Sequence, residues 1–193
     1  MISAVVLAAG QSKRMGQQKM LLPWGNSTVI GKVVATLLDG GVSDILIVVG
    51  ALQERLEEEL DGYQVNYVMN RNYLNGEMLT SVQVGIRGLG IETEAALLVL
   101  GDQPQIESRV IEAIIKFYQS TQHQIIVPSY EMKRGHPILI GRSLWNKLLE
   151  LNAPNTLRDF LNSYHDMIDY LIVETPSVLQ DLDTPNDYTQ YKP

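Results

Sequence analysis

Three basic side chains, Lys13, Arg14 and Lys19, crowd into the segment that follows the first apolar run: Leu7-Ala8-Ala9-Gly10-Gln11-Ser12-Lys13-Arg14-Met15-Gly16-Gln17-Gln18-Lys19. Small residues allow backbone N–H groups to approach phosphate oxygens, and nearby cations offset the phosphate charge. An apolar strand running into such a loop is a receptor for a polyphosphate. The spacing departs from the commoner glycine-rich motifs. Five residues separate Gly10 from Gly16, and Gln17-Gln18 follow where a Walker loop needs Lys-Ser/Thr. A Gly-x-Gly-x-x-Gly fingerprint is missing here as well.

Carboxylates supply the second element of the chemistry. In Leu98-Val99-Leu100-Gly101-Asp102-Gln103-Pro104 an apolar run stops at a glycine and then presents Asp102. One hard oxygen ligand at a strand end suits Mg2+, which takes one or two protein carboxylates and leaves its other positions to phosphate and water. A helix-capping turn is the structural alternative. Near the end of the chain, Asp181-Leu182-Asp183-Thr184-Pro185-Asn186-Asp187 puts Asp181 and Asp183 on one side if the backbone is extended. Asp183 is a candidate second ligand to the metal. Asp187 after Pro185 reads as a charge at a helix N-terminus, and a capping box explains the segment equally well.

Continued through Lys19-Met20-Leu21-Leu22-Pro23, the loop resembles the signature of the MobA/MocA-like nucleotidyltransferases. Leu-x-Gly-Asp-Gln-Pro around Asp102 resembles that family's metal motif, and Asp181–Asp187 its C-terminal Asp-x-Asp-Thr-Pro-x-Asp segment. The resemblance implies a loop wrapped around an NTP through Leu7, Ala8, Ala9, Gly10, Ser12, Arg14, Gly16 and Lys19. It assigns Arg14, Lys19 and Asp102 to catalysis, with Lys19 at the α-phosphate and Arg14 at the β/γ end, and Asp102 and Asp183 to Mg2+. Asn70–Val82 resembles a family segment lying along the base, ribose or acceptor, which makes Gly76 and Ser81 nucleotide-binding candidates. Glu77 between Gly76 and Met78 departs from that pattern, and Asn75 as a helix cap is the alternative. Lys133-Arg134-Gly135-His136-Pro137 resembles the family's Arg-Gly-His-Pro, giving Arg134, Gly135 and His136 as acceptor-binding candidates. The residue before a proline is also held extended for purely conformational reasons.

These residues need elements to position them. Ala4–Ala9, Ile45–Val49, Val65–Val68 and Ala95–Leu100 are apolar without polar alternation, as strands covered on both faces are. Thr28–Leu38, Gln53–Leu60 and Met78–Leu89 between them carry helical spacing. Beyond Pro104 the pattern predicts a helix at Val110–Tyr118, strands at Ile125–Val127 and Pro137–Ile140, helices at Ser143–Leu151 and Thr156–Tyr164, and a strand at Tyr170–Val173. Such alternation implies right-handed crossovers and a three-layer α/β/α, Rossmann-like, mainly parallel sheet; the resemblance makes it the nucleotide-diphospho-sugar transferase type. In an open sheet of this kind ligands sit beyond the carboxyl ends of the strands. Gly10–Lys19 and Gly101–Pro104 both fall there.

At 193 residues, with 45% hydrophobic and 19% charged residues, the sequence predicts a single globular nucleotidyltransferase domain over 1–193. It lacks cysteine, so disulfides, thiolate metal sites and a cysteine nucleophile are excluded. The net charge of −7 argues against a nucleic-acid partner, yet residues 1–38 contain four cations and no Asp or Glu, as around an anion site. No apolar run approaches the roughly 20 residues of a membrane span, and no signal peptide is present, so the expected location is cytoplasmic. The resemblance implies transfer from CTP to the terminal phosphate of molybdopterin, giving the cytosine dinucleotide cofactor and pyrophosphate. It also implies transient contact with a molybdoenzyme or its chaperone. Ala8-Ala9-Gly10 resembles the CTP-using branch, whereas the guanylyl-transferring branch tends to carry Ala-Gly-Gly. GTP as donor, a sugar or polyol phosphate as acceptor, and a non-catalytic cofactor-delivery protein are the alternatives.

Overall fold

The computed structural model describes residues 1–10, 12, 14–74 and 78–193; Gln11, Lys13, Asn75, Gly76 and Glu77 lie outside the described residues. The chain opens with β1 (Ile2–Leu7), then the cation-bearing loop, which leads to a small hairpin of β2 (Pro23–Trp24) and β3 (Ser27–Thr28). Alternating elements follow: α1 (Val29–Asp39), β4 (Asp44–Val49), α2 (Gln53–Glu59), β5 (Asn66–Met69), α3 (Met78–Gly88), β6 (Ala95–Leu100) and α4 (Ser108–Thr121). The remainder comprises β7 (Ile125–Tyr130), β8 (Lys133–Arg134), β9 (Ile138–Gly141), α5 (Trp145–Leu149), α6 (Leu157–Ser163), β10 (Ile168–Ile172) and α7 (Pro185–Tyr191).

The strands form one sheet in the order β10-β7-β9-β6-β1-β4-β5, with β8 paired to β7. β1 lies between β4 and β6 and runs parallel to both, with Ser3 opposite Asp44 and Ile2 opposite Ala95. β9 is inserted antiparallel between β6 and β7, so the sheet is mainly rather than wholly parallel. The carboxyl ends of β1 and β6, and therefore the loops beyond them, are side by side.

Both faces of the sheet are covered, which explains strands without polar alternation. Ala4, Val6 and Ala8 face one layer with Leu97 and Val99, under α1, α2 and α4. Val5, Leu7 and Ala9 face the other with Leu98, under α3, α5 and α6. On α4, Val110, Ile111, Ile114 and Tyr118 are buried at helical spacing; each such side chain contributes about 1.5–3 kcal/mol. At Gly85, α3 comes so near β1 that a Cβ would collide with Val5 Cγ1, so this layer depends on having no side chain there.

Helix ends follow local chemistry. Thr28 caps α1 by accepting from Gly31 N–H at 3.2 Å. Thr156 and Asp159 form a capping box on α6, and Thr184 and Asp187 form one on α7, where Pro185 occupies the first turn.

Several sequence expectations shift at their edges. β1 ends at Leu7, although the Ala8 N–H still bonds to the Val48 carbonyl at 2.9 Å. The expected helix over Ser143–Leu151 is a 3-10 turn, Arg142–Leu144, followed by the short α5. Residues 180–183 belong to no strand. The β2–β3 hairpin turns at Gly25, whose φ of +59 is open to glycine.

Candidate active site

A cleft of about 500 Å3 opens at the carboxyl ends of β1 and β6. Leu7, Ala9, Gly10, Ser12, Arg14 and Lys19 line one side of it, and Asp102, Asp181 and Asp183 contribute the acidic part of its wall. The loop closes on itself through Ser12. Its carbonyl accepts from Met15 N–H at 3.1 Å and Gly16 N–H at 3.2 Å, and its Oγ accepts from Lys19 N–H at 3.4 Å. Gly16 has φ +70 and is exposed. It makes the turn and is absent from the cleft wall, so its part in the loop is conformational. A Cβ at Gly10 would meet nothing within 4 Å, so the backbone there is open to a ligand.

Opposite charges meet at the centre. The Lys19 ammonium contacts Asp102 Oδ2 directly and lies 3.5 Å from Asp183 Oδ1, while the Arg14 guanidinium is 2.9 Å from Asp183 Oδ2. The Lys19 and Asp102 side chains are only 10% and 16% exposed, whereas Arg14 is 72% exposed. Lys19 is therefore held where charge interactions are least screened, and Arg14 reaches in from solvent. The pair from distant parts of the chain is fixed by backbone: Leu182 N–H bonds to the Asp102 carbonyl at 3.0 Å. That bond aims Leu182 inward, where it is fully buried, and leaves Asp181 and Asp183 on the cleft side. The alternation expected of an extended segment holds without a strand.

Leu182 belongs to a satellite core with Met15, Trp24 and Val29, against which Tyr188 and Tyr191 of α7 pack. The Tyr188 ring lies 6.2 Å from that of Trp24, and its hydroxyl donates to the Pro23 carbonyl at 2.7 Å. The hairpin, the loop and the last helix thus share one anchor. Asp187 is consumed by the cap of α7, accepting from Asp183 N–H, Thr184 N–H and the Thr184 hydroxyl. The capping reading of the C-terminal acidic segment holds through Asp187, while Asp183 faces Arg14 and Lys19.

Asp102 and Asp183 direct oxygens to one point, currently taken by an ammonium, and Asp181 stands on the same wall. Burial, with Asp183 and then Asp102 beside it, pushes the Asp181 carboxyl above its ordinary range, although Lys19 opposes the shift. Among the described residues no group of three or more potential ligands surrounds a single point. Two hard oxygens with room for phosphate and water suit a magnesium-type ion shared with its substrate rather than a closed protein cage.

A recess of about 250 Å3 adjoins the cleft, sharing Ala9, Gly10, Ser12, Tyr73 and Leu74, and adding Ala8, Gln18, Ala51 and Leu52. Ser81 and Met78, from the first turn of α3, reach the main cleft; Gly76 lies outside the described residues. Arg134, Gly135 and His136 are not on either wall. The Arg134 side chain is held outside by the Tyr170 hydroxyl at 2.8 Å and Asn162 Oδ1 at 2.9 Å. Gly135 is pressed against Val178, whose carbonyl oxygen would be 2.6 Å from a Cβ. Burial pushes the His136 imidazole below its ordinary pKa, while the Leu98 carbonyl and the Asp102 charge act in the other direction. Its Nδ1 is buried with no hydrogen-bond partner among the described residues. Sequence reasoning passed over Tyr73 and Leu74 as wall residues and Asn70 as a support; a polar residue directly after a strand was the available signal for Asn70.

Known proteins share this sequence pattern and fold. A MobA-like NTP transferase domain matches residues 4–167. Molybdenum cofactor cytidylyltransferase of Escherichia coli K12 is 29% identical over 193 residues, covering 99% of this chain and 95% of its own. Rv0371c of Mycobacterium tuberculosis H37Rv, in a manganese complex, superposes with a TM-score of 0.78 at 26% identity, over 98% of this chain and 96% of that one. A nucleotidyl transferase from Methanothermobacter gives a TM-score of 0.84 at 25% identity, covering all of this chain and 96% of that one. The fold is that of the nucleotide-diphospho-sugar transferases, and the E. coli and Methanothermobacter relatives are named as a cytidylyltransferase and a nucleotidyl transferase. With a cation loop and an aspartate wall closing one cleft, and a family match running from β1 to the start of β10, this chain belongs to the MobA-like NTP transferase domain family.

Proposed function

We propose that the chain is a cytidylyltransferase, moving CMP from CTP to the terminal phosphate of molybdopterin with release of pyrophosphate, and that residues 1–193 act as one catalytic unit in the cytoplasm. The observation that carries this reading is the meeting of Lys19 and Arg14 with Asp102 and Asp183 at the adjoining ends of β1 and β6. Polyphosphate transfer needs cations where charge accumulates on the α-phosphate and leaving group. CTP is supported by the Ala8-Ala9-Gly10 sequence and by the name of the E. coli relative.

The triphosphate lies along Gly10, Ser12, Arg14 and Lys19, and the base enters the smaller recess beside Ala51, Leu52 and Tyr73. Lys19 turns from Asp102 to the α-phosphate, and Arg14 follows the β- and γ-phosphates. Asp102 and Asp183, released from their ammonium and guanidinium partners, would hold Mg2+, which neutralises phosphate oxygens when bound. An oxygen of the acceptor phosphate forms the new bond to the α-phosphorus, and the bond to the bridging oxygen breaks, with its electrons leaving on pyrophosphate. The acceptor phosphate is already ionised, so the chain needs to orient rather than deprotonate it. Arg134, Gly135 and His136 lie off both walls and serve the acceptor side only indirectly, from the β9 side of β6, where the Asp102 charge reaches His136. The product passes to a molybdoenzyme or its chaperone.

Pyrophosphate release from CTP, GTP, ATP and UTP, each against molybdopterin and a panel of sugar phosphates, tests the reading. Turnover only with CTP and molybdopterin is expected. Consumption of GTP with molybdopterin overturns the base assignment, a sugar phosphate acceptor overturns the acceptor, and no turnover leaves a delivery protein. Asp102→Ala is expected to abolish release.

A further inference from the structure

Asn70, just beyond β5, is one of the few fully enclosed amides in the protein, with 2% of its surface exposed. Its backbone N–H extends the sheet pairing by donating to the Val49 carbonyl at 2.9 Å. Its side chain is fixed in orientation by chemistry as well as by packing. Oδ1 accepts from the Asn72 backbone N–H at 3.0 Å, and a backbone amide can only donate. The other end of the amide must therefore be the nitrogen. Nδ2 points at α3, 2.9 Å from Ser81 Oγ and 3.3 Å from Thr80 Oγ1.

An amide nitrogen can only donate, so Ser81 Oγ accepts from it. The serine proton is then left over, and Ser81 Oγ makes no other hydrogen bond among the described residues. Ser81 lines the main cleft, so its hydroxyl presents a donor to whatever acceptor atom lies opposite. A hydroxyl ordinarily serves either role by rotating. Here one buried neighbour takes one of the two oxygen lone pairs and holds the oxygen in place, with the proton left to be donated elsewhere.

We propose that Asn70 is a positioning residue that holds the Ser81 hydroxyl so that it donates its proton to an acceptor atom of the bound nucleotide. The inference rests on the cleft being the nucleotide site and adds to it the polarity of one contact. The recognised group is an oxygen or unprotonated ring nitrogen.

The test is CTP binding to the whole chain, with Mg2+ present and no acceptor, measured by calorimetry. Asn70→Ala, Ser81→Ala and the double variant form a cycle, with urea unfolding measured alongside. Asn70→Ala and Ser81→Ala are each expected to weaken CTP by about five- to tenfold, the worth of one hydrogen bond. The double variant is expected to bind no worse than Ser81→Ala alone, because Asn70 acts through that hydroxyl. A merely structural role lowers the urea midpoint and gives multiplying losses, which overturns the proposal, as does unchanged affinity in Asn70→Ala. Asn70→Asp keeps the acceptor for Asn72 and replaces the donor with a second acceptor, capturing the serine proton. It is expected to bind CTP at least as poorly as Asn70→Ala, and the same change in the Ser81→Ala background subtracts the effect of the added charge. Wild-type affinity in Asn70→Asp overturns the proposal without the alanine variant. Failure of the unaltered protein to bind any NTP instead removes the nucleotide reading itself, together with what rests on it.

Discussion

The resting position of Lys19 makes a prediction about metal rather than about turnover. Its ammonium sits between Asp102 and Asp183, where the proposed divalent cation would enter. Lys19→Met keeps the length and removes the competing charge. At 3.5 Å and an effective dielectric constant of about 20, the attraction to Asp183 alone is about 5 kcal/mol before costs are counted. Asp183 is 30% exposed, and the lysine has already given up much of its hydration. Screening and desolvation reduce the net competition to about 1–3 kcal/mol. That corresponds to roughly ten- to a hundredfold in the affinity of an entering ion. Mn2+ titration of the nucleotide-free protein, followed by the electron paramagnetic resonance signal of the free ion, is the assay. Wild type is expected to bind weakly, Lys19→Met tightly, and wild type with CTP tightly again because the phosphates draw the lysine away. If Lys19→Met binds Mn2+ no better than wild type, the two carboxylates are not the shared ligands and the argument fails.

Two further expectations concern the frame around the site. Thr184→Ala removes the N-cap of α7, at about 1 kcal/mol; CTP affinity, followed by calorimetry, is expected to fall because Asp183 immediately precedes that cap, while the main urea transition barely moves. His136 is held neutral by burial, so between its lowered folded pKa and the ordinary value near 6.5 the unfolded chain binds the extra proton. Stability is therefore expected to be complete above about pH 6.5 and to decline as pH falls below it; urea midpoints from pH 7.5 to 5.5 should drop more steeply for wild type than for His136→Gln, and equal slopes would contradict the assignment.

Much of the site was readable because its two halves sit at strand ends, where local sequence is enough. Leu7 through Lys19 and Leu98 through Asp102 each contain an apolar run, a glycine and a charge, and parallel pairing of β1 with β6 does the rest. The Asp-Leu-Asp alternation survived as geometry because Leu182 is an inward anchor. What escaped depends on contacts remote in sequence. The antiparallel entry of β9 follows from pairing with both β6 and β7, which no window around Pro137–Ile140 contains. Arg134 is drawn outward by Tyr170 and Asn162, residues whose proximity only the folded sheet creates. Trp24 and Tyr188 look like ordinary core aromatics until the two chain ends are seen to share them. Asn70 gave only a weak sign, since a buried amide and an exposed turn residue are spelled alike.

The joining of the two chain ends has a consequence for biosynthesis. Arg14 and Lys19 are translated well before Asp183, which answers them. A nascent chain can lay down β1, β4 and β6 and still lack the counter-charge, the Leu182 plug and the α7 clasp that close the cation loop. The cation loop thus stays unanswered until residues 181–191 dock, because Asp183 supplies its counter-charge and Leu182, Tyr188 and Tyr191 its packing.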